Sequence, residues 1–293
     1  MTSLHDKTFL ITGANAGIGK AAAIALACKG ARIGLLCRNP EKAQAAHDEI
    51  VHKAGHERVD VVVMDLASFA SVRAAVDQIQ SQFDRVDVLV NNAGLALSER
   101  QLTDDGHERT LQINHLGPML LTELLLQSSN HRPDRIVNVA SNAHQRARLD
   151  LDDLGLERRY HAWRQYCRTK LMNVLATRAW HRELSAQGIP TSVNALHPGV
   201  VATNITAEGD TQGIVKIGWA LMRPFMKTPE QGAATTVYVA SSEKVEGLSG
   251  LYFADSAEAP VSHRAQNDAD GERLMAISRA WIGTDRSDGP ARK

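Results

Sequence analysis

The stretch Thr8-Phe9-Leu10-Ile11-Thr12-Gly13-Ala14-Asn15-Ala16-Gly17-Ile18-Gly19 decides the fold. A run of apolar and β-branched residues, short enough for a buried strand, feeds straight into a glycine-rich turn. Residues 20–29 then read as a helix. Glycines at these positions permit a tight reversal, close approach of a ligand to bare backbone, and close packing of helix on strand. The helix N-terminus that follows faces whatever lies against the turn, and a pyrophosphate suits it. The spacing is G-x3-G-x-G, not the commoner G-x-G-x-x-G, and a glycine-rich turn can also be only a turn. The rest of the chain has to decide.

Outward from that turn, apolar runs recur at 8–12, 31–37, 59–65, 86–92, 135–141, 191–197 and 250–253. Segments of helical period lie between them at 18–29, 41–54, 71–82, 109–127 and 163–186. This alternation predicts an α/β Rossmann fold: one doubly wound parallel sheet of about seven strands with helices on both faces. It runs without linker, repeat or low-complexity stretch, so one domain over 1–283 is expected, followed by a disordered tail at 284–293. Two stretches break the pattern: an Arg-rich segment at 142–159 and a helical excursion at 210–226.

Composition narrows the function. Hydrophobic residues make up 43% and charged residues 23%, an ordinary globular balance. Thirty-three basic residues offset 33 acidic ones, so nothing points to nucleic acid or an anionic membrane, and a small molecule is the expected partner. Cys28, Cys37 and Cys167 form neither a disulfide framework nor a metal site, which suits a reducing compartment. The N-terminus MTSLHDKTFLITG has no signal-peptide pattern, and the apolar stretch 119–126 is too short to span a bilayer. A soluble, cytoplasmic protein without metal or membrane anchor is expected.

The second strand ends Leu36-Cys37-Arg38-Asn39. An acid there would bind a ribose 2′-hydroxyl, as in NAD, whereas an Arg suits the 2′-phosphate of NADP, so NADP(H) is the expected cofactor and NAD(H) the alternative. Asp65 and the turn Asn91-Asn92-Ala93-Gly94 fall at the C-terminal ends of later strands, where open α/β sheets bind ligands. A helix N-cap and an ordinary turn are the plain readings of these two.

Tyr166 and Lys170 lie one helical turn apart, on one face. A nearby cation favours the phenolate, so Lys170 would pull the tyrosine down toward working pH, with the positive nicotinamide of an oxidised cofactor sharing the task, and Tyr166 would act as acid/base. Ser141 ends the fifth strand and opens on the same crevice, while Asn114 stands mid-helix, where asparagine needs a local reason.

Together these motifs resemble the short-chain dehydrogenase/reductase family over roughly residues 5–253. The family's glycine motif matches Gly13, Asn15, Ala16, Gly17, Ile18 and Gly19, its adenine-side acid matches Asp65 with Leu66 beside it, and its N-N-A-G matches Asn91, Asn92, Ala93 and Gly94. Its Asn, Ser, Tyr, Lys tetrad matches Asn114, Ser141, Tyr166 and Lys170. Its P-G segment matches Pro198 and Gly199, with Val201 and Thr203 where the family holds the nicotinamide carboxamide. Tyr166 lies 25 residues beyond Ser141, about twice the usual interval. With Tyr166-Cys167-Arg168-Thr169-Lys170-Leu171-Met172-Asn173 and Ala195-Leu196-His197-Pro198-Gly199-Val200, this interval resembles the retinol-dehydrogenase-like and WW-domain-oxidoreductase-like branch, whose members are usually NADP(H)-dependent. Thr169 stands where that branch often has Ser.

The resemblance implies hydride transfer between NADP(H) and a carbinol or carbonyl carbon of a small apolar substrate. Tyr166 would exchange the proton, Ser141 orient the oxygen, Lys170 hold the nicotinamide ribose and Asn114 anchor a water. It also implies a homodimer or homotetramer built on helices 109–127 and 163–186. The alternative is a catalytically silent NAD(P)-binding sensor. Nucleotide-sugar epimerisation or dehydration is disfavoured, because no sizeable C-terminal substrate domain follows. Arg146, Arg148, Arg158 and Arg159 read as solvated surface near Asp150, Asp152 and Asp153, Trp163 as mouth or packing, and His197 as structural.

Overall fold

In the computed structural model, residues 3–201 and 226–284 are described here. Among the described residues eight strands form one sheet: β1 (Thr8–Thr12), β2 (Arg32–Cys37), β3 (Val59–Val63), β4 (Val88–Asn91), β5 (Arg135–Val139), β6 (Ser192–His197), β7 (Tyr252–Ala254) and β8 (Ala257–Glu258). Their order is β3-β2-β1-β4-β5-β6-β7-β8, with every pair parallel except β7 with β8. The eighth strand is a two-residue hairpin return that the sequence reading did not include; it is too short to carry a periodic signal. Central strands such as β1 and β4 are buried along their whole length, as a parallel sheet covered on both faces requires.

The helices are α1 (Gly17–Ala27), α2 (Pro40–Ala54), α3 (Phe69–Gln82), α4 (Arg109–Leu111), α5 (Gly117–Gln127), α6 (Ala162–Ala186), α7 (Pro229–Ser241) and α8 (Asp268–Ile282). One core cluster joins Leu10, Leu89 and Ile136 to Leu120, Leu171 and Leu274, and a second packs Ile11, Leu35 and Val90 against Leu26 and Val239. Between β1 and β4 the strand order reverses, and the crevice at such a point is where this architecture binds ligands.

The helix predicted at 109–127 is not one regular helix. Gln112–Leu116 forms a π turn between α4 and α5, in which the Gly117 amide donates to the Gln112 carbonyl. Gly117 is required there, because a Cβ would sit 2.6 Å from the Leu66 carbonyl oxygen.

α8 packs against α5 and α6. Arg279 reaches from it to the fully buried Glu123 at 2.7 Å and to Glu183 at 2.6 Å, and Trp180 Nε1 donates to Glu123. Of the helix pair on which a dimer was expected, α5 is therefore largely buried within this chain, with only Leu124 and Gln127 not fully buried, while α6 keeps part of its surface open at both ends. Thr284, the first residue of the expected tail, is buried and donates its amide to Arg279 O; residues 285–293 lie outside the described residues. The excursion at 210–226 also lies outside them, apart from Met226. Among the described residues no helix is long and apolar enough to cross a membrane, and no cluster of potential ligands could hold a metal ion.

Candidate active site

The turn after β1 is a cradle of backbone. Gly13 and Gly17 adopt φ of 65° and 54°, and a Cβ on Gly19 would lie 2.5 Å from Asn92 Nδ2 and 2.6 Å from the Gly13 carbonyl oxygen. Thr12 locks this turn to the next strand's loop: its buried Oγ1 accepts from the amides of Asn92 and Ala93, and its carbonyl accepts from Asn92 Nδ2. Cys37 packs beneath, its sulfur facing the Ala14 and Asn15 amides, and burial pushes its thiol up to about 11. That contact was not legible in the cysteine spacing.

The N-cap of α1 is Ala16, which has no side chain to satisfy the first amides, and no acid occupies the first turn. Open N–H groups and the positive end of the helix dipole thus meet at the point where a phosphate would lie. Asn15, Ala16 and Ile18 line this exposed edge. The residues fit a dinucleotide.

Arg38 is exposed directly after β2, where an adenosine ribose would end. Asn39 accepts from Lys42 N at 2.8 Å and caps α2 with Pro40 behind it, so its side chain serves the helix. Asp65 Oδ1 accepts from Ala67 N at 2.9 Å in a local turn, while Ser68, not Asp65, caps α3. Leu66 is buried beside it. Gly199 has φ of 87°, and Val201 pairs with Lys227 beyond β6 after Pro198. Thr203 lies outside the described residues.

The catalytic candidates converge from three elements. Ser141 follows β5, with Oγ accepting from Ala143 N at 3.2 Å, and its side chain faces the Tyr166 phenol. Lys170 lies beneath that ring, with Nζ 5.6 Å from its centroid, and donates to the Val139 carbonyl at 2.9 Å. Asn114 sits in the π turn, which gives its unusual mid-helix position a reason. Its Oδ1 accepts from Leu95 N, its Nδ2 donates to Leu95 O and to Thr169 Oγ1, and its carbonyl accepts from Asn173 Nδ2. A Cβ on Gly94 would lie 3.2 Å from Lys170 Nζ and 3.4 Å from Asn114 Oδ1, so this glycine is the spacer between the two.

The lysine does not by itself pull the tyrosine down: burial pushes the Tyr166 phenol up, and the Ser141 hydrogen bond offsets this only in part. Burial also brings Lys170 down to about 8. Both groups disfavour charge in a dry pocket, and the lysine's nearest partner is a carbonyl, not the phenol oxygen.

The long interval between Ser141 and Tyr166 is organised by a residue that sequence reading passed over. Arg168, buried in α6, donates to the Arg148 carbonyl at 3.0 Å and the Asp153 carbonyl at 2.7 Å. Arg146, Arg148, Arg158 and Arg159 are all exposed, as expected of solvated surface. Glu108 is also buried; it caps α4 through Thr110 and Leu111 and accepts from Gln165 at 2.8 Å. Trp163 is 49% exposed and stacks on Tyr166 with ring centroids 5.6 Å apart. His197 bonds the Tyr252 hydroxyl at 3.1 Å.

Comparison with known proteins gives this geometry its context. The family model of the short chain dehydrogenases matches residues 7–213. Human retinol dehydrogenase 12 is 39% identical over 281 residues, covering 96% of this chain and 87% of that protein. A crystal structure of an uncharacterised protein from Mycobacterium paratuberculosis aligns with a TM-score of 0.79 at 31% identity, covering 97% of this chain and 96% of its own. A blue fluorescent protein from a metagenomic library, crystallised in complex with NADPH, aligns with a TM-score of 0.66 at 28% identity, covering 86% and 97%. The chain belongs to the short-chain dehydrogenase/reductase family of oxidoreductases.

Proposed function

We propose that this protein catalyses reversible hydride transfer between NADP(H) and the hydroxyl or carbonyl carbon of a small, apolar substrate, with Tyr166 as the acid/base. The observation that carries the reading is the convergence of Ser141, Tyr166 and Lys170 at the C-terminal end of β5, in the sheet whose β1 turn leaves a helix N-terminus open for phosphate. Gly13, Gly17 and Gly19 would cradle the pyrophosphate, and Arg38 would meet a 2′-phosphate. When bound, the nicotinamide supplies or takes the hydride.

The chain's own groups handle the oxygen. Ser141 Oγ holds the substrate oxygen beside the phenol, and Tyr166 gives its proton to that oxygen during reduction and takes it back during oxidation. The raised phenol keeps its proton until the substrate needs it. Lys170, as an ammonium beneath the ring, offsets negative charge on the phenolate once the proton has left. Asn114 ties the Leu95 loop to α6 and so fixes the wall around the lysine. The half-exposed Trp163 ring beside Tyr166 favours an apolar substrate.

A screen of NADPH oxidation against aldehydes, ketones and quinones tests this reading. Turnover of at least one carbonyl class is expected; NADPH binding with no turnover of any favours the silent sensor. Any dimer or tetramer would need a surface other than the buried faces of α5 and α6, and light scattering reads the assembly directly.

A further inference from the structure

His144 lies three residues past Ser141 in the 3-10 turn Asn142–Arg146 and is fully buried. Its Nδ1 lies 2.8 Å from the Ser141 carbonyl oxygen, which also accepts from the His144 amide at 3.0 Å. Its Nε2 faces the backbone amide of Ser262 at 3.3 Å. A backbone amide can only donate, so Nε2 presents its lone pair and the proton resides on Nδ1, where it points at Ser141. The tautomer follows from the surroundings. The ring also packs on Tyr252 at 4.9 Å, and that phenol bonds His197. The backbone at Ser262, β7 and the end of β5 are thereby joined through one imidazole.

We propose that His144 is the positioning residue for Ser141: anchored by Ser262, it holds the serine backbone so that Oγ stays aimed at the Tyr166 phenol. The proposal rests on Ser141 acting in the reaction as read above. Ser141 itself needs this support. It sits past the last paired residue of β5, and its Oγ is also drawn toward the Ala143 amide at 3.2 Å. Without the imidazole, the turn loses its tie to Ser262 and leans on the short-range bonds of a 3-10 segment, which are of poorer geometry than those of an α-helix. A catalytic hydroxyl displaced even slightly loses much of its effect on rate.

The experiment is a double-mutant cycle on kcat with NADPH and a carbonyl substrate found in the screen. His144→Phe keeps a ring against Tyr252 and removes both nitrogens; His144→Asn keeps a donor near the Ser141 carbonyl. The expected results are a loss of about tenfold or more in kcat for His144→Phe, with KM and the NADPH Kd changed by less than about threefold, and substantial recovery in His144→Asn. In a Ser141→Ala background, His144→Phe should cost nothing further, because both changes remove the same interaction.

Additive losses, or an unchanged kcat in His144→Phe, overturn the proposal while leaving the reaction assignment intact. Full activity in Ser141→Ala instead overturns the role of the serine, and His144's with it. Should His144→Phe fail to bind NADPH, Ser262 carries the same test. With φ of −62° it accepts proline, and Ser262→Pro removes the amide donor that Ser262→Ala retains. A kcat loss confined to the proline variant supports the anchor, and equal kcat in the two overturns it.

Discussion

The turn after β1 and the corner formed by Ser141, Tyr166 and Lys170 open on one crevice, yet they are made of different material. The first is backbone: glycines at positive φ, an uncapped helix N-terminus and a threonine that bonds only main-chain groups and the Asn92 side chain through its own main chain. The second is side chains drawn from a strand end and a long helix, walled by a π turn and held by buried partners such as Asn114 and Thr169. A backbone cradle recognises phosphate whatever the rest of the ligand is. A side-chain corner sets protonation states, and its chemistry depends on burial and on neighbours far away in sequence.

That contrast can be broken most forcefully at Gly19. An added Cβ would strike the Gly13 carbonyl, so Gly19→Ala is expected to raise the NADPH Kd by about 100-fold, roughly 3 kcal/mol. Isothermal calorimetry checks this, and a Kd within a factor of about three of the unchanged protein would detach the turn from the cofactor. Arg38→Ser tests the one side chain assigned to the phosphate side. Loss of a charge-assisted contact of about 2 kcal/mol raises the NADPH Kd roughly 30-fold and leaves the NADH Kd nearly unchanged. Equal effects on both cofactors would remove Arg38 from 2′-phosphate recognition.

The catalytic corner is sharpened by pH. Burial holds Lys170 at about 8, and the phenol, pushed up, stays protonated over the same range. Loss of the ammonium therefore governs the alkaline limb: kcat/KM for carbonyl reduction is expected to fall about tenfold per pH unit above 8, and the limb to move upward in Lys170→Arg. Stability has the opposite sign. The unfolded lysine binds its proton up to its ordinary 10.5, so between about 8 and 10.5 the unfolded state carries more protons, and stability rises with pH by roughly 3 kcal/mol. Activity that falls while the melting temperature holds or rises is the signature. A profile flat to pH 10 contradicts the role given to the lysine.

The same contrast explains what could be read from the sequence. The glycine turn, the βα alternation of a parallel sheet and the Tyr166–Lys170 pair are local patterns, and each lies where its spacing indicated. Arg38 and Asp65 also fall at the strand ends expected of them. The misses are tertiary. Nothing near Asn114 announces a π turn, because its cause is Gly117 packed against the Leu66 carbonyl, some fifty residues away. Arg168 stood in the sequence only as one letter of the active-site helix motif, yet it closes the long segment after Ser141 through two carbonyls. The desolvation that raises the Tyr166 phenol is likewise not visible in sequence, whereas the charge pair is. His144 carried only its closeness to Ser141 as a signal, and its second anchor, Ser262, is 118 residues away.

The central claim is that one phenol carries the proton while the cofactor is held elsewhere, by backbone. Tyr166→Phe, measured for NADPH binding and turnover on the same preparation, tests it most directly. The expected result is a fall in kcat of about a thousandfold or more, with the NADPH Kd within a factor of about three of the unchanged protein. Turnover retained at the original rate would contradict it.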